Sequence, residues 1–203
     1  MHTLIWLSPD CLIVQPPLLF DLTPSFDAAV RPVHIQNVGL EATATLDAFW
    51  KGIYETIGIS DVEATVESFV DTVQIRAYFN SAAFAVRPNA GLFRRWLACF
   101  EALVQDEEYQ LQASQDERHQ IFLHQAILST LIVTLLDPKR ILTLPPVYGY
   151  PYNLHQSVAP DRRVSVLNDL VRAIYEERSV DPDLIDDIEV REPLRSWLRS
   201  RFS

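Results

Sequence analysis

Apolar and polar positions along the chain fall into runs of two periods, one suited to strands and one to helices. Leu4–Leu7 and Leu12–Gln15 are short strand-like runs on either side of Ser8-Pro9-Asp10, and Pro16-Pro17 stops the second. Ala28–His34 is a further extended stretch, in which Pro32 suits an edge or irregular strand better than a central one. Leu46, Phe49, Trp50, Ile53, Tyr54 and Ile57 recur at helical spacing, which predicts a helix over Leu46–Ile57 with Thr45 or Asp47 near its start and Gly58 as its C-cap. Val62–Val70 and Val73–Val86 are rich in β-branched and aromatic residues and read as strands joined by a turn at Asp71-Thr72, with Pro88-Asn89 closing the block.

A helix follows at Gly91–Val104. Ile121–Leu136 is apolar nearly all round, the mark of a buried helix, and Asp137-Pro138 ends it. Ile141–Leu144 reads as a short buried strand leading into an aromatic loop from Pro145 to Tyr152. From Arg162 onward the chain reads as charged helix, in pieces divided by Pro182 and Pro193. The alternation of strands and helices predicts an α/β fold with a helical C-terminal extension, divided as 1–160 and 161–203. The pattern also places Leu4–Leu7, Val73–Phe79 and Ile141–Leu144 in one sheet, with Ile121–Leu136 buried against it.

Composition narrows the function classes. The 203 residues carry 27 Asp and Glu against 17 Lys and Arg, a net charge of -10. Lys51 and Lys139 are the only lysines, and no basic cluster stands out, which excludes nucleic acid and an anionic membrane as main partners. The opening segment has no basic residue ahead of its apolar run, and Ile121–Leu136 is too short to span a bilayer, so a cytoplasmic location is expected. Cys11 and Cys99 form no metal-ligand spacing. The glycines never fall into GxGxxG or a P-loop, and neither HExxH nor GxSxG occurs. His119 and His124 stand about 140° apart around a helix and cannot hold one metal from one face.

Other polar residues keep two readings open. Asp10 is either a turn residue or a ligand, and Asn80 and Ser81 either satisfy a strand end or line a site. His124 is either a hydrogen-bonded core residue or a catalytic one, and His155 either a surface residue or a ligand. Arg31 and His34, flanking Pro32, either reach a substrate cleft or are solvated, and Tyr148, Tyr150 and Tyr152 either stack on a sugar or pack the loop.

Taken in order, several stretches resemble the type A fold of nucleotide-diphospho-sugar glycosyltransferases. The run from Leu4 to Pro17 resembles that family's metal-binding strand, where an Asp-x-Asp lies between apolar runs. Here Ser8 stands at the first Asp position and Asp10 at the second. Tyr78-Phe79-Asn80-Ser81 resembles its Phe-Asn-Ser-Gly strand, with Ala82 in place of Gly. Phe122-Leu123-His124-Gln125 resembles its Asp-Gln helix, with His124 in the acidic position, and Leu144-Pro145-Pro146-Val147-Tyr148 resembles its Leu-Pro aromatic loop. The resemblance covers about residues 3–156.

It implies transfer of a sugar from a nucleotide-sugar donor, or a catalytically inactive remnant that binds a carbohydrate or a protein. It further implies His124 and Gln125 near the reacting centre, and substrate contacts from Asn80 and Ser81, with Arg31, His34 and Tyr148 as further candidates. Asp10 and His155 would form a weak Mn²⁺ site, for which one carboxylate serves less well than two. In that family a nucleotide-binding half normally precedes the Asp-x-Asp strand, so the expectation is that the true start lies upstream, that this is a degenerate relative, or that a protein partner completes the site.

Overall fold

Asp47 turns the chain into its first long helix. In the computed structural model, which describes residues 2–9, 11–88, 91–113, 116–174 and 188–202, the Asp47 carboxylate accepts from the Trp50 amide and caps α1 (Ala48–Ile57). Gly58, at φ 88°, closes the helix in the left-handed conformation that glycine adopts without strain. Phe49, Trp50, Ile53, Tyr54 and Ile57 form the buried face, as the spacing predicts. Asp47→Ala is expected to lower unfolding free energy by about 1 kcal/mol, because it leaves an amide of the first turn unpaired. Urea titration checks this, and an unchanged midpoint would remove the cap from the account.

The main sheet contains β1 (Leu4–Leu7), β3 (Ala28–Val30), β6 (Ala83–Val86) and β7 (Ile141–Thr143), in the order β1-β6-β3-β7. β6 runs antiparallel to both β1 and β3, and β3 runs parallel to β7. Two expectations are corrected here. β3 is not an edge strand, since Ala28, Ala29 and Val30 are fully buried between two neighbours; the irregular alternative holds from Arg31 onward, where the strand has ended. Pro32 lies beyond the paired residues and makes only a bridge to Phe79, so the ladder never needs its missing N–H.

The second correction concerns Val73–Phe79, which does not join this sheet. β4 (Thr65–Glu67) and β5 (Gln74–Arg76) form a hairpin of their own through the Asp71-Thr72 turn. The chain breaks after β5 because Asn80 Oδ1 accepts from the Ala82 amide at 2.8 Å, which bends it before β6. What reads as one long strand is therefore two, in two sheets.

α2 (Leu92–Gln105), α3 (Glu107–Ala113) and α4 (Glu117–Leu135) complete the principal core with α1. α4 is buried from Leu123 to Ile132 apart from the half-buried His124, and its Ala126, Ile127 and Leu131 share a core with Ala28, Val30, Phe84 and Val86 of the sheet. This is the buried helix that its all-round apolar pattern predicts.

The tail departs from the helical expectation. β2 (Cys11–Ile13) pairs antiparallel with β8 (Arg172–Ile174), and a 3-10 turn occupies Leu167–Asp169. α5 (Leu194–Phe202) is the helix that the expectation does meet. Val166, Leu167, Leu170 and Ala173 are all buried, and their spacing would suit one face of a helix equally well, so the pattern alone does not separate helix from turn and strand. Leu167, Leu170 and Ala173 pack with Tyr150, Tyr152 and Val158 into a second core that draws on both sides of residue 160. Pro182 lies outside the described residues.

Candidate functional site

The turn between β5 and β6 is held from three directions. The Phe79 amide donates to Ser129 Oγ on α4 at 2.8 Å, and the Asn80 amide donates to the Arg31 carbonyl at 2.8 Å. The Ser81 amide and hydroxyl both donate to Gln125 Oε1, at 3.0 and 2.9 Å. Ser81 Oγ also lies 3.1 Å from His124 Nε2. The Trp96 indole donates to the His124 carbonyl at 2.7 Å, which fixes this turn of α4 from the other side.

Asn80 faces His34 as well. Since Asn80 Oδ1 accepts from Ala82, its amide nitrogen is the donor to His34 Nε2 at 3.1 Å. His34 therefore carries its proton on Nδ1, and that atom is enclosed without a hydrogen-bond partner. Burial, followed by the fields of Arg31 and Arg172, holds the imidazole pKa well below its ordinary value, so His34 is neutral at pH 7. Burial also lowers the pKa of His124.

Of these side chains, His34, Asn80 and Gln125 line a pocket of about 120 Å³. His34, Asn37, Asn80, Gln125 and Asn153 give it polar walls, and Val33, Ile35, Phe122 and Leu154 supply apolar surface. Gln125 has its carbonyl oxygen committed to Ser81, so its amide N–H groups are what it offers the pocket. A larger groove of about 640 Å³ runs between α1 and α3, but none of the residues expected from the sequence lines it.

The structure thus brings together Asn80, Ser81, His124, Gln125 and His34. Tyr148 stands apart: it is buried edge-on against Phe20, and its hydroxyl accepts from the Leu19 amide at 2.8 Å. Arg31 is buried, donates from Nη1 to the Gly149 carbonyl and lies over the Phe69 ring at 4.7 Å. Burial, with Arg172 and Arg162 nearby, brings its pKa down to about 9. Asn37 and Asn153 belong to the pocket although the sequence reading passes over them. The signal available for Asn153 was its place beside the aromatic loop, whereas Asn37 carried only the left-handed backbone (φ 50°) that asparagine tolerates.

Of the expected metal pair, Asp10 lies outside the described residues. His155 is buried, with Nδ1 2.8 Å from the Tyr150 hydroxyl. Among the described residues no three His, Cys, Asp or Glu side chains gather where they could hold a metal ion. No helix among the described residues is long and apolar enough to cross a membrane. No family model, curated protein or solved structure matches the chain.

Proposed function

We propose that this chain is a glycosyltransferase-like protein whose pocket receives a single sugar ring. The observation that carries the reading is the junction of Asn80-Ser81 with His124-Gln125, two segments far apart in sequence that Ser81 joins through Gln125 Oε1 and His124 Nε2. Neutral amides and an imidazole suit sugar hydroxyls, which both donate and accept, and the apolar side chains suit the carbon face of the ring. Pockets for drug-sized ligands run to roughly 300–1,000 Å³. At about 120 Å³ this one is matched to one ring and not to a whole nucleotide sugar.

A second reading, retention of a carbohydrate without transfer, is favoured by the lining itself. Its titratable member, His34, is buried and neutral, and the other polar members are amides. Calorimetric titration with free hexoses and with UDP- and GDP-sugars, with and without Mn²⁺, separates the readings when release of free nucleotide is followed in parallel. Nucleotide sugars are expected to bind no tighter than about 1 mM, some −4 kcal/mol.

Asn37→Gly removes a pocket amide but keeps the left-handed backbone, and should weaken hexose binding about tenfold with little change in stability. If no hexose or nucleotide sugar binds, or if the variant binds like the parent, the sugar reading fails. Nucleotide release by the parent would favour transfer over retention.

A further inference from the structure

Arg172, on β8, is the most buried cation among the described residues, at 2% exposure. Its Nε and Nη2 are enclosed and have no hydrogen-bond partner. Arg31, itself 4% exposed, lies beside it. Both crowd the same glycine: a Cβ on Gly149 would meet Arg172 Nη1 at 3.1 Å and Arg31 Nη1 at 3.5 Å. Arg31 and Arg162 both lie over the Phe69 ring, at 4.7 and 4.6 Å. Arg162, with its side chain 31% exposed, is the member of the group nearest solvent.

The chain treats its other buried arginines differently. Arg76 is paired with Asp61 at 2.8 Å, and Arg87 has Asp27 at 3.7 Å. Arg162 reaches Glu67 at 3.4 Å. Among the described residues, Arg31 and Arg172 form no ion pair. A guanidinium is effectively always charged, and an uncompensated one in the interior is strongly unfavourable. Among the described residues no carboxylate lies within ion-pair distance of either guanidinium.

We propose that Arg31 and Arg172 form an oxyanion site that binds a phosphate group, with Arg162 at its solvent side. Adjacent guanidinium forks offer several parallel N–H donors, and their combined charge matches a phosphate better than a single carboxylate. Gly149 adjoins the pair, since a Cβ there would come within contact distance of Nη1 of both arginines. The field of both arginines reaches His34 in the pocket wall, so a sugar phosphate has its ring and its anionic group served by neighbouring parts of the molecule. The phosphate site itself does not depend on the sugar reading.

The test uses the full chain and inorganic phosphate as probe. At 10 mM phosphate the melting temperature should rise by about 3 °C over chloride at equal ionic strength. Arg172→Met should abolish this rise. Arg172→Lys, which keeps a positive charge but loses the fork and guards against a misfolded Met variant, should bind phosphate about tenfold more weakly in calorimetric titration. A hexose 1-phosphate that binds at least tenfold tighter than inorganic phosphate would support the site with a sugar phosphate as its source. Equal affinity would support it with free phosphate as the source. No phosphate-specific rise in the parent, or an undiminished affinity in Arg172→Lys, would overturn the proposal. Loss of phosphate binding alone, with neutral hexose binding intact, would leave the sugar reading standing.

Discussion

Lowering the pH from 7 to 5 is expected to reduce unfolding free energy through His34, by at most about 2 kcal/mol, the ceiling for a group that titrates near 6.5 in the unfolded chain. His34 is buried, accepts from Asn80 at Nε2 and lies in the field of Arg31 and Arg172, so its folded pKa falls well below 6.5. In the unfolded chain the imidazole titrates near its ordinary value. Below that value the unfolded state takes up a proton that the folded state refuses, and stability falls as the pH falls. The contribution is complete above about pH 6.5 and declines toward the lower folded pKa. His124, lowered by burial, adds to the same slope.

Asp27 and Asp61 have lowered pKa values, caused first by hydrogen bonds from Arg140 and Arg76 respectively. Their stabilisation is present above the ordinary carboxylate range and is lost only in stronger acid, so the windows separate. Urea unfolding at pH 7 and pH 5 measures the slope. His34→Gln should flatten most of it, and an unchanged slope in that variant would show that His34 is not the group responsible.

The largest single-residue effect on stability is expected at Trp50. Its side chain is fully buried and lies edge-on to Phe49, Tyr54 and Tyr78 at centroid distances of 5.7, 5.9 and 5.7 Å. Its indole donates to the Val38 carbonyl at 2.7 Å. Trp50→Ala removes the ring, leaves a cavity beside three aromatic neighbours and orphans that carbonyl, at a cost of about 3–5 kcal/mol. Trp50→Phe keeps much of the volume and loses the donor, so its cost should be nearer 1–3 kcal/mol, the penalty for an unsatisfied buried acceptor. Chemical denaturation of the two variants distinguishes the contributions. A loss of less than about 1.5 kcal/mol in Trp50→Ala would mean that the neighbours collapse into the space.

Local chemistry accounts for what the sequence makes legible. α1 is read correctly because a cap, an apolar stripe and a left-handed glycine agree at Asp47, Phe49 to Ile57 and Gly58. α4 is read correctly because a helix without a polar face has nowhere to lie except the interior. Strand partners are harder, since residue types within Val73–Val86 do not reveal that Asn80 caps its own turn and splits the run between two sheets. Pro32 misleads about β3 because its effect is confined to its own N–H, which falls outside the ladder.

Of the candidate site, the sequence singles out Asn80, Ser81, His124 and Gln125, and the fold brings these two segments into contact. The sequence does not single out Arg172, whose only signal is a lone cation within Val171-Arg172-Ala173-Ile174. A charge in an apolar strand reads as solvated until the partner strand and Gly149 enclose it.

The order β1-β6-β3-β7 has a consequence for how the protein is made. No strand of this sheet lies beside its neighbour in sequence: Leu4 faces Val86, and Ala28 faces Ile141. No hairpin can start the sheet, and β3 keeps an open edge until β7 has been synthesised. At roughly 5–20 residues per second, a ribosome takes on the order of ten seconds to travel from β3 to β7. Throughout that interval the apolar strand Ala28–Val30 is unpaired on at least one side, an edge of the kind that can template aggregation until β7 covers it.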